Sequence, residues 1–108
     1  MKAWLPIFAL LAVTGCNSYS LQELRESNPT GTAFQQALAE EYLLLANQEE
    51  ANYDWQDSWY FADKGLKAAY GNDVGPEEPS QWDIATALLP ELEQARDDLL
   101  TALRPEVV

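Results

Sequence analysis

The 108-residue chain has no histidine, and its only cysteine is Cys16. Without imidazole it lacks the commonest general base near neutral pH, and one thiol supports neither an intrachain disulfide nor a nitrogen-and-sulfur zinc site. Basic residues are scarce as well. Six Lys and Arg stand against eighteen Asp and Glu, a formal charge of −12. Nucleic acid and anionic headgroups repel such a surface, because binding them draws on clustered Lys and Arg. No nucleic-acid partner is expected. Glycine-rich phosphate loops and nucleophile elbows are missing, so no catalytic residue and no cofactor are assigned. Strand signals are missing too: apolar and polar residues do not alternate with period two, and β-branched residues are few.

What is present begins at the amino end. The terminus and Lys2 precede an apolar run over residues 3–13, which closes on Val13-Thr14-Gly15-Cys16. A run of about 11 apolar residues is too short for a bilayer, which needs roughly 20. It has the size of a secretory h-region ahead of small residues. The ending resembles the bacterial lipobox, which places signal cleavage between Gly15 and Cys16 and an acyl anchor on Cys16. An ordinary secretory signal with a chance cysteine is the alternative. Further on, Leu43-Leu44-Leu45 is the longest aliphatic run. The mature protein is therefore expected to be held at a membrane by acyl chains and not to span it. Lys2 belongs to the leader, so cleavage leaves an even more acidic remainder. That acidity serves solubility, or it complements a basic partner.

Helix signals occupy the rest. Ser20-Leu21-Gln22-Glu23 reads as a capping box opening a short helix, which Asn28-Pro29-Thr30-Gly31 ends. Thr32 and Gln35 form a second box. Behind it Phe34, Leu38, Tyr42 and Leu45 make an apolar stripe, with Ala37, Leu44 and Ala51 on an adjacent one. This helix is expected to end near residues 51–53. Asp54 then caps a third helix, with Asp57 in its first turn. Its seam is Trp55, Trp59, Ala62, Leu66 and Ala69. Phe61, Gly65 and Ala68 form a second apolar edge, which calls for two neighbours. Gly71 suits the position after its end.

Residues 72–83 read as a linker, because Gly75, Pro76 and Pro79 break helix and ladder alike. A last helix is placed over about 88–104, with Pro90 in its first turn and Leu92, Ala95, Leu99 and Leu103 as its packing face. A start near Asp83 would instead leave Pro90 as a kink. The expected organisation is a signal peptide (1–15), a lipidated tether with a short helix (16–31), a helical domain (32–104) and a tail (105–108). The fold class is all-α, a small antiparallel helical hairpin plus a third packed helix, TPR-like.

Several of these residues recur together in one family. Beyond the lipobox they are Pro29-Thr30-Gly31, Phe34, Leu38, Tyr42, Leu45, Asp54-Trp55, Asp57, Phe61-Ala62-Asp63-Lys64 and Ala68-Ala69-Tyr70-Gly71. Val74, Pro76, Leu89-Pro90-Glu91-Leu92, Ala95-Arg96 and Leu99 continue the series. The pattern resembles the N-terminal helical region of OmpA-family lipoproteins of alphaproteobacterial type. In that family a C-terminal OmpA-like domain follows and grips the peptidoglycan cross-link peptide. This sequence stops at Val108, before such a domain, so no binding residue carries over. A stand-alone helical module and a fragment of a longer protein are both compatible with it.

Two groups of side chains could carry chemistry. Glu49, Glu50, Asp54 and Asp57 cluster around the hairpin turn, where carboxylates could ligate Ca²⁺ or form an acid/base pair. They lack the alternating-ligand loop with its central glycine, and capping accounts for Asp54 and Asp57. No metal site is expected. Tyr53, Trp55, Trp59, Tyr60 and Phe61 make a dense aromatic group, for core packing or for a partner. Trp59 is expected in the core; Tyr53, Trp55 and Tyr60 form the candidate partner surface. With the resemblance, these readings imply a non-enzymatic, lipid-anchored spacer or adaptor on the periplasmic side of the outer membrane. Its partners would be envelope proteins or peptidoglycan-associated ones. The alternative is an acidic periplasmic inhibitor or regulator of a basic cell-wall enzyme.

Overall fold

The structure, a computed structural model, describes residues 16–104. Every regular element among them is helical: α1 (Cys16–Glu26), α2 (Ala33–Ala51), α3 (Trp55–Ala69) and α4 (Leu89–Ala102), with 3₁₀ turns at Pro79–Gln81 and Thr86–Leu88. The all-α expectation is met. No described helix is long and apolar enough to cross a membrane. The expected leader, the expected Gly15–Cys16 cleavage point and the expected 105–108 tail lie wholly or partly outside the described residues.

The chain divides into two compact units, Met1–Val74 and Gly75–Val108. In the first, α2 and α3 form the antiparallel hairpin, and α1 packs chiefly on α3. The helix that covers the hairpin in this unit is thus α1, which sequence reading had placed in the tether. Leu21 and Leu24 explain it. They lie three residues apart on one face, and both are buried. Burying each stabilises by about 1.5–3 kcal/mol. Ser20 is not the start of α1, as the capping-box reading had it. The helix begins four residues earlier, at Cys16, so Ser20 lies in its second turn.

The expected start and end signals of the hairpin hold. Thr32 and Gln35 make both halves of a capping box, with the Gln35 amide donating to Thr32 Oγ1 at 3.2 Å and the Thr32 amide to Gln35 Oε1 at 2.9 Å. Asp54 Oδ1 accepts from the Asp57 amide at 3.1 Å. At the end of α3 the Gly71 amide donates to the Ala68 carbonyl at 3.0 Å and the Asn72 amide to the Lys67 carbonyl at 2.9 Å. This is a Schellman pattern, and Gly71 takes the left-handed φ of +82° it demands. The 27–32 loop is stitched onto that end: the Thr30 and Gly31 amides both donate to the Ala69 carbonyl, at 2.7 and 3.3 Å.

Burial follows small residues more than large ones. On α2 the buried line is Ala39, Tyr42 and Ala46, while Phe34, Leu45, Ala37, Leu44 and Ala51 are exposed and Leu38 is half-buried. Of the expected Phe34–Leu38–Tyr42–Leu45 stripe only Tyr42 therefore lies on the true contact line. The reason is close approach. Ala39 and Ala46 let α3 lie against the backbone, near enough for the fully buried Ser58 Oγ to donate to the Ala46 carbonyl at 2.8 Å. On α3, Ser58, Phe61, Ala62, Gly65, Leu66, Ala68 and Ala69 are buried. An arc that wide requires two neighbours, as its two apolar edges predicted. Gly65 sits where the three helices converge. A Cβ there would lie 2.5 Å from Leu24 Cδ2 and 3.2 Å from Tyr42 Cβ. Arg25 adds a polar clasp from α1 to α2, reaching Glu50 at 2.8 Å and Asn47 at 2.6 and 3.1 Å.

In the second unit α4 packs on the two 3₁₀ turns. Pro90 lies in its first turn, where a missing donor costs nothing, and the Thr86–Leu88 turn leads straight into the helix. Arg96 ties α4 to the preceding segment: Nε donates to the Glu77 carbonyl at 3.1 Å, and a guanidinium nitrogen lies 2.8 Å from the Glu78 carboxylate. None of the α4 residues is fully buried. Of its expected face only Leu103 is half-buried, and Leu92, Ala95 and Leu99 are exposed. Two single-turn 3₁₀ segments are too short to cover a 14-residue helix.

Candidate functional site

The hairpin turn is built by a second Schellman pattern. The Tyr53 amide donates to the Glu50 carbonyl at 3.0 Å and the Asp54 amide to the Glu49 carbonyl at 2.8 Å. The left-handed position falls on Tyr53, at φ +61°, among the described residues the one non-glycine with positive φ. An L-residue there costs roughly 1–2 kcal/mol. Packing does not repay it, since Tyr53 is 80% exposed. Sequence reading missed this, because a left-handed cap is ordinarily announced by Gly or Asn.

Beside Tyr53, carboxylate oxygens of Glu49, Asp54 and Asp57 all lie within 4.8 Å of one another. Asp54 and Asp57 come together because one caps α3 and the other occupies its first turn; Glu49 joins them from the last turn of α2. Partial burial raises the Asp57 carboxyl above its ordinary value, and the Asp54 charge and hydrogen bond add to the rise. Glu50, the fourth carboxylate of the expected cluster, turns instead to Arg25.

The aromatic group divides. Phe61 is core, stacked on Tyr42 with centroids 6.1 Å apart, and the Tyr60 and Phe61 rings form a T-shaped pair at 5.5 Å. Lys64 Nζ lies 5.8 Å from the Tyr42 ring centre and 5.3 Å from that of Tyr60, a cation–π arrangement that the spacing of Tyr60 and Lys64 on one helix face could have suggested. Trp59, expected in the core, is only half-buried. Of the candidate partner surface, Tyr53, Trp55 and Tyr60 are all exposed, the last two at 48% and 39%. They do not share one face. Trp55 and Tyr60 are five residues apart on α3, about 140° around its axis.

Cys16, the proposed lipidation site, is the first residue of α1, so the chain passes from it into helix without an intervening loop. Elsewhere an open cleft of about 390 Å³ lies between α1 and the end of α3, lined by Gln22, Glu23, Glu26, Ser27, Asn28 and Tyr70. Both of its carboxylates are held by neutral donors: the Tyr70 hydroxyl bonds Glu23 at 3.2 Å, and the Gln22 amide bonds Glu26. No protein-family model, curated protein or solved structure matches the chain.

Proposed function

We propose that the protein is a non-enzymatic, lipid-anchored component of the bacterial cell envelope, whose helical module serves as a spacer or adaptor on the periplasmic side of the outer membrane. The observation that carries this reading is the first sixteen residues: a basic start, a short apolar run and Thr14-Gly15-Cys16. The passage from Cys16 directly into α1 supports it, because α1 belongs to the packed core. An anchor at that residue would hold the whole unit and not a loose tail. The absence of histidine and of any second cysteine in the sequence weighs against base and thiol chemistry. Similarity to the N-terminal module of OmpA-family lipoproteins is part of the same proposal, with envelope proteins or peptidoglycan-associated partners.

Intact mass and membrane fractionation of the protein from its native host, before and after Cys16→Ser, test the anchor. Acylated Cys16 in the outer-membrane fraction, lost in the variant, is the expected result. A soluble, unacylated product would overturn the reading. It would favour the alternative of an acidic inhibitor or regulator of a basic cell-wall enzyme, for which the convergent Glu49, Asp54 and Asp57 speak.

A further inference from the structure

We draw no further inference here: the strongest candidate, the exposed leucine face of α4 (Leu92 and Leu99, with Leu100 on its flank), is an apolar surface for which nothing in the structure shows what covers it.

Discussion

The two ends of α3 solve the same backbone problem with opposite materials. At its carboxyl end a Schellman turn places Gly71 at φ +82°, and the neighbouring turns hold Gly65, Leu66, Ala68 and Ala69 in the core. At its amino end an equivalent pattern closes α2 and places Tyr53 at φ +61°, among exposed aromatics and crowded carboxylates. Hydrogen bonding sets where the left-handed residue falls; the side chain found there decides whether that position is relaxed or strained. One end of the helix is built for packing. The other gives up stability at Tyr53, a side chain left 80% exposed.

That contrast can be broken at the packed end first. Leu24→Ala removes the side chain that fills the space above Gly65 and is expected to cost about 2–5 kcal/mol in denaturant unfolding, the usual range for a buried leucine. A loss under 1 kcal/mol would mean that α1 is not part of the cooperative core. Gly65→Ala comes next. Its new methyl falls inside contact distance of Leu24, a strain of about 1–3 kcal/mol against about 1 kcal/mol of gained helix propensity. A modest net loss is expected, and in a Leu24→Ala background Gly65→Ala should no longer add to the loss, because the two share one space.

The two left-handed positions sharpen the comparison directly. Gly71→Ala should destabilise by about 1 kcal/mol, and Tyr53→Gly should stabilise by a similar amount. Equal signs in thermal unfolding of the two variants would show that the ends are not equivalent turns. The smallest effect concerns Asp57. Its carboxyl is raised, so its protonated form is favoured by the fold. The stability this lends is full below the ordinary carboxylate value and is lost as pH rises through the higher folded one. Asp54→Asn keeps a capping side chain but removes the neighbouring charge. The Asp57 titration, followed by carboxyl carbon NMR, should move down, and stability should vary less across that window. An unmoved titration would assign the rise to burial alone.

Legibility in the sequence divides along the same line. Thr32, Gln35, Asp54 and Gly71 were readable because caps are short-range: the residue type and the atom it satisfies lie within a few positions of each other. The second apolar edge of α3 was readable for a related reason, since Phe61, Gly65 and Ala68 repeat at helical spacing and must meet something. What they meet was not. Leu21 and Leu24 are two leucines in a short polar helix, and only the position of α3 makes them core. The α2 stripe failed for the opposite reason. Phe34 and Leu45 look like core by size, but Ala39 and Ala46 admit the neighbouring helix and so set the contact line. At the turn, Asn52 is of a type that takes the left-handed position readily, yet α2 extends to Ala51 with Asn52 as its cap, which moves that position onto Tyr53.

The start of α1 at Cys16 has a consequence for geometry at a surface. Between Cys16 and Leu21 lie five helical steps, about 7.5 Å at 1.5 Å each. A flexible tether would add its own slack; a helix holds the anchor point at one height and one bearing relative to the core. With Cys16 acylated as proposed, the number of residues ahead of Leu21 would set an angle as well as a distance. Each added residue turns the module by about 100° around α1, and a whole turn restores its bearing. The face presented to a neighbour along the membrane would then be written in the length of five residues.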